Sequence, residues 1–262
     1  MVRSIEKVKW RRRVKKLLVR LAEYTVPYLY FAYFAFVWAT SKITDLTSPL
    51  DDALCNPPHR FVAALWHQDV LCVPWAYRRF HGQTIASVGD AGDVIARLLR
   101  LCNFTVFRGG SSKGASRRRI ILEEFSRHLL QVDRPAVGIT VDGSSGPPYR
   151  MKTGAIVLAM KINAPFFVVR IWSKRRILLR TWDRTMLPLP FNRIVLVAEG
   201  PYSLPEKMDQ EEVFKQFHRY VENQLLTATY KCFLMLDKAA DKRLMADFPE
   251  YWQTPTSKGF SP

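Results

Sequence analysis

The 262-residue sequence predicts an α/β fold with a mixed, largely parallel sheet flanked by helices. Three observations point there. Six short apolar runs read as largely buried strands. Between them, apolar residues recur at helical spacing. The polar, Gly-rich sequence is concentrated where strands give way to helices, which is where such sheets hold their ligands. The length suits one α/β domain, or one domain with an appendage, and a 48% hydrophobic fraction excludes a disordered chain. Four well-separated Cys, with no C-x-x-C pair, read as reduced thiols rather than a zinc site or a disulfide scaffold.

The chain opens on charge. Nine Lys and Arg stand against one acid, Glu6, in the first twenty residues, so +8 of the net +17 lies there. Tyr24 to Thr40 follows, 17 residues without a charge and rich in aromatics. A perpendicular membrane helix needs roughly 20 apolar residues, so this run is short for a span, and Pro27 would start or kink its helix. A cleaved signal peptide fits badly, because the run is bulky and lacks a small-residue cleavage site. We expect residues 1–45 to be an N-terminal membrane-associated helical segment on an anionic membrane surface. The positive-inside tendency places it at the cytoplasmic membrane, with the remaining domain on the cytoplasmic side.

Ser41 to Pro58 reads as a polar, Pro-interrupted connection. Strands are expected at Arg60–Trp66, Gln83–Val88, Phe104–Phe107, Ala136–Val141, Pro165–Ile171 and Arg193–Glu199. Ile95, Leu98, Leu99 and Cys102 form a helical stripe behind a cap at Asp90. Ile121, Leu122, Phe125 and Leu129 form a second stripe, and Ala155, Leu158, Ala159 and Ile162 a third. A last helix spans about Asp209 to Leu236. The α/β domain is thus expected over 58–240, with a tail over 241–262.

Three strand-to-helix junctions carry chemistry. The first is Trp66–Asp69 (WHQD), where His67 stands at a strand end, and an imidazole so placed can act as a general base. Arg108 ends a strand ahead of Gly109, Gly110, Ser111 and Ser112, which offers an anion a guanidinium, backbone N–H groups and a helix start; a Gly-Ser turn before a basic helix would look the same. The third junction, Val141–Gly154 (VDGSSGPPYRMKTG), supplies Asp142, Gly143, Ser144 and Lys152 in a loop long enough to bind a ligand.

Taken in order, WH, RGGSSKGA, DGSSGPPYRMKTGAIVLA and WDRTMLPLPFNRIVL resemble a bacterial subgroup of the lysophospholipid acyltransferase-like superfamily, over roughly Arg60 to Pro205. The resemblance implies His67 as the base, Arg108 as a phosphate-binding residue and Asp142–Gly143 as an acidic-Gly pair completing the pocket. The superfamily's H-x-x-x-x-D motif is broken here, because Cys72 stands where its Asp would. Asp69 is therefore expected to support His67, with Asp90 and Asp93 as the other candidates.

The implied chemistry is acyl transfer from an acyl thioester, acyl-CoA or acyl-carrier protein as co-substrate, to a lysophospholipid or related membrane amphiphile. No cofactor is required, and the five His have no metal-ligand spacing. The competing reading is a degenerate acyltransferase fold that binds lipid or a partner complex without catalysis. Nucleic acid is disfavoured as a partner, because the charge is largely N-terminal and abuts a hydrophobic run.

Overall fold

The computed structural model describes residues 2–109, 115–237, 239 and 241–253. Its centre is a seven-stranded sheet of β1 (Lys42–Leu46), β2 (Phe61–Leu65), β3 (Gln83–Ala86), β4 (Thr105–Arg108), β5 (Ala136–Thr140), β6 (Phe166–Ser173) and β9 (Arg193–Tyr202). The strand order is β1-β9-β6-β2-β5-β3-β4. All neighbours pair in parallel except β6 and β9. Strands β2 to β6 therefore run one way, and β9 and β1 the other. A separate two-stranded hairpin, β7 (Arg176–Leu178) and β8 (Met186–Pro188), lies between β6 and β9 in sequence.

The continuous apolar runs are the central strands. Every residue of β2 and of β6 is buried, as expected of strands covered on both faces. Helices α4 (Asp90–Leu101), α5 (Ala115–Leu129) and α6 (Gly154–Ile162) carry the three predicted stripes, except that Ile95 is exposed and Cys102 caps the end of α4. Gly89, rather than Asp90, occupies the N-cap position of α4. The long helix α7 (Glu211–Asp237) lies along β6 and β9. Its Thr229 hydroxyl accepts a bond from the indole N–H of Trp66, 3.0 Å away and fully buried, which fixes the end of β2.

The flanks carry more structure than their sequence shows. The connection from Ser41 to Pro58 contains structure: β1 is the edge strand beside β9, and α2 (Ser48–Cys55) follows it. Mostly exposed and polar, β1 lacks the apolar run of a central strand. Arg79, from the 3₁₀ turn Arg78–Phe80, ties this region down by bonding Asp45, Thr47 and Asp51. Helix α1 (Val2–Ala39) includes the aromatic run but commits one face of it to the domain. Phe34 and Val37 are buried, and the Tyr30 hydroxyl donates to Leu71 O while accepting from the Trp75 amide. No helix among the described residues is long and apolar enough to cross a membrane. The tail is packed as far as it is described. Leu244, in α8 (Lys242–Met245, after the four-residue α3 at Val73–Ala76), is buried with Phe248 and Trp252.

Candidate functional site

The carboxyl ends of the parallel strands converge on His67. β2 and β5 pair Leu65 with Thr140, and the two segments continue side by side past the sheet. The His67 backbone N–H consequently donates to Asp142 Oδ1 at 2.8 Å. The imidazole Nδ1 lies 2.6 Å from Asp183 Oδ2. Asp183 belongs to the β7–β8 loop and is held in turn by the Thr185 hydroxyl at 2.8 Å and the Thr185 amide at 3.2 Å. With Nδ1–H donating to this carboxylate, Nε2 is left as the basic nitrogen, and it meets no partner among the described residues. The His67 ring is 27% exposed while Asp183 is buried, so solvent reaches the base and not the acid behind it.

The two carboxylates beside His67 are tuned in opposite directions. Burial acts to raise Asp183, but the hydrogen bonds from His67, Thr181 and Thr185 prevail and hold it well below the usual carboxylate range. Burial dominates at Asp142 and pushes it up to about 7, against the pull of the His67 amide.

The third junction wraps this centre. Gly143 has φ +73°, and a Cβ there would lie 2.5 Å from Lys152 Nζ, so the ammonium group rests against the Asp142–Gly143 turn. Gly146, at φ +71°, accommodates the Trp182 indole, which a Cβ would approach to 2.7 Å. That indole stands 5.3 Å from the His67 ring. Helix α7 clamps the far end of the loop: Glu222 accepts from the Met151 amide at 2.6 Å, and His218 Nε2 bonds the Met151 carbonyl at 2.9 Å. Ser144 is exposed at the loop's outer edge.

Asp69 is not the ring partner of His67. Residues His67–Asp69 form a 3₁₀ turn, in which side chains two positions apart diverge by about 120°. Asp69 therefore points into the interior and pairs with Arg170 of β6, both fully buried, with the Ile171 amide as a further donor. Gln68 extends this network, accepting from Arg170 and from the Tyr149 hydroxyl and donating to Arg184 O. Cys72 is buried, and burial pushes its thiol well above the ordinary value.

Arg108 ends β4, three strands from β2, which at the usual strand spacing is about 14 Å away. Its guanidinium donates to the Gly92 carbonyl and pairs with Asp93, so Asp93 serves Arg108 rather than His67. Gly109 is buried against Ile121. Gly110, Ser111 and Ser112 lie outside the described residues, as does the Asp90 side chain.

Sequence reasoning missed Asp183, although it stands in the fourth resemblance block. A signal was present. Between Lys174 and Arg193 it is the sole acid among six Lys and Arg, followed two residues later by a Thr able to orient it.

Compared with known proteins, the chain matches no family's sequence profile. A 66-residue stretch is 29% identical to the uncharacterized protein RP090 of Rickettsia prowazekii (strain Madrid E). That alignment covers 25% of this chain and 30% of the Rickettsia protein, less than a third of its length. Among solved structures, the chain is similar to the 1-acyl-sn-glycerophosphate acyltransferase PlsC from Thermotoga maritima. The TM-score is 0.47 and the identity 18%, over 82% of this chain and 81% of that one.

Proposed function

We propose that this protein is a membrane-associated acyltransferase that moves a fatty acyl group from an acyl thioester to a lysophospholipid or related amphiphile. The observation that carries the reading is the His67–Asp183 pair at the carboxyl end of the parallel strands, with Nε2 unpartnered. In the proposed step, His67 Nε2 takes the acceptor hydroxyl proton as the oxygen attacks the thioester carbonyl carbon. The tetrahedral intermediate collapses with loss of the thiolate, which recovers that proton from the imidazolium. Asp183 fixes the tautomer and stabilises the imidazolium. Lys152, held against Gly143, is assigned to the developing oxyanion or to the acceptor's anionic group. Arg108 is assigned to the acceptor phosphate, which must displace Asp93. The donor, acyl-CoA or acyl-carrier protein, binds as a co-substrate.

The degenerate-fold alternative drew its support from a missing catalytic acid, and a carboxylate on Nδ1 removes that support. The test is transfer of a labelled acyl group from both donors to a panel of lysophospholipids in detergent micelles, comparing wild type with His67→Ala. We expect transfer by wild type and a loss of about 10²–10⁴-fold in the variant. No transfer from either donor would return the chain to the binding reading, and full activity in His67→Ala would remove His67 as the base. Membrane association is tested by fractionation. The protein should sediment with the cytoplasmic membrane, and removal of residues up to Ser41 should weaken that association.

A further inference from the structure

We infer that the β7–β8 hairpin is itself a membrane-contact element, seating its outer face in an anionic bilayer interface beside His67. This rests on the reading of the chain as an enzyme working at a membrane, and it assigns a surface distinct from the basic N-terminal segment. The hairpin stands apart from the central sheet, so neither of its strands is paired beyond the other. Strand alternation sends Ile177 and Leu179 outward, while Leu178 packs against the core. Arg176 anchors the base of the hairpin by pairing with Asp237 and Asp241. Trp182, at the tip, is also exposed, and Phe191, just after β8, is 66% exposed.

Charge accompanies these apolar groups. Lys174, Arg175, Arg180 and Arg193 are exposed and form no ion pair among the described residues. The only acid between residues 174 and 193 is Asp183, buried behind His67. Exposed apolar and indole side chains interspersed along the hairpin with cations that form no ion pair match the layering of an anionic interface, with headgroups outside and acyl chains below.

The patch is also continuous with helix α1. The Arg175 guanidinium donates to the Phe191 carbonyl at 3.2 Å, and Phe191 meets the exposed Phe36 of α1 edge-on at 6.0 Å. Trp182 adjoins Asp183 in sequence and the His67 ring in space, so the tip of the hairpin borders the candidate site.

The test is amide hydrogen exchange of the full-length protein, alone, with phosphatidylcholine vesicles, and with mixed phosphatidylglycerol and phosphatidylcholine vesicles. Amides over 174–184 should be slowed several-fold by the anionic vesicles and little by phosphatidylcholine alone. Ile177→Asp with Leu179→Asp should abolish that slowing while leaving the rest of the exchange map unchanged. Arg175→Gln with Arg180→Gln, which keeps the hairpin's apolar face, should weaken vesicle affinity several-fold and flatten its salt dependence. Unchanged exchange over 174–184 in the presence of anionic vesicles overturns the inference, whether or not α1 becomes protected. Slowing by acyl-carrier protein but not by vesicles also overturns it and assigns the surface to a protein. His67→Ala should show the same protection as wild type, so failure of the catalytic reading and failure of this one are read separately.

Discussion

His67 Nδ1 and Asp183 Oδ2 lie 2.6 Å apart although 116 residues separate them in the chain. The contact joins the end of a central strand to the loop of a hairpin outside the sheet. The arrangement leaves one imidazole nitrogen anchored and the other available, the condition a general base requires.

If the two residues act as a unit, their losses are not additive. His67→Ala should lower turnover by about 10²–10⁴-fold, and Asp183→Asn should lower it substantially on its own. The double variant should be little worse than His67→Ala. Steady-state kinetics of the four proteins decide the matter, and losses that multiply would reject the pairing.

Asp142 carries a pH dependence of stability. Its carboxyl is raised by burial from 3.8 to about 7, so between those values the folded protein holds a proton that the unfolded chain has released. Folding therefore takes up a proton in this window, and stability from this group falls as pH rises through it, levelling off above about pH 7. Asp142→Asn does not titrate and keeps an oxygen for the His67 amide. Its stability relative to wild type should increase across the same window, measured by urea unfolding at several pH values. A difference that stays constant with pH would contradict the raised carboxyl.

Asp69 and Arg170 should matter to folding rather than to the proton transfer. Both side chains are fully buried. Removing one partner strands a charge, at a cost of about 3–5 kcal/mol. Asp69→Ala and Arg170→Met should each show that loss in denaturant unfolding. Asp69→Leu combined with Arg170→Met should recover much of it, because two apolar groups leave no charge behind. If Asp69→Ala keeps wild-type stability but loses turnover, the carboxylate belongs to the reaction after all.

Arg108 is engaged by Asp93 and the Gly92 carbonyl, so an incoming phosphate competes with an internal partner. Arg108→Ala should weaken binding of a phosphate-bearing acceptor by about 1.5–3 kcal/mol. Arg108→Lys should restore only part, because the planar fork is lost. Asp93→Asn should act the other way and lower KM by freeing the guanidinium. KM values that stay at the wild-type level in all three variants would remove Arg108 from the acceptor site.

Several features were settled by local sequence. A strand buried on both faces reads as a nearly continuous apolar run, so β2 and β6, the latter interrupted by Arg170, were legible from residues that are neighbours in the chain, as was the half-buried β5. The stripes of α4 to α7 were legible for the same reason, since helical periodicity is local. His67 and Asp142 could be placed at strand ends, and parallel strands necessarily bring such ends to one edge of the sheet. Tertiary structure alone decided which acid meets the imidazole. Asp69 is two residues from His67, yet the 3₁₀ turn aims it inward at Arg170, because an unpaired guanidinium buried in β6 would be costly. Asp183 is distant, and it reaches His67 only because the hairpin folds back over the carboxyl ends of the strands. Likewise β1, mostly exposed, becomes a strand through its pairing with β9 and not through any apolar pattern of its own. Periodicity is a property of a segment, whereas a side chain's partner is a property of strand order and turn geometry, which no segment contains.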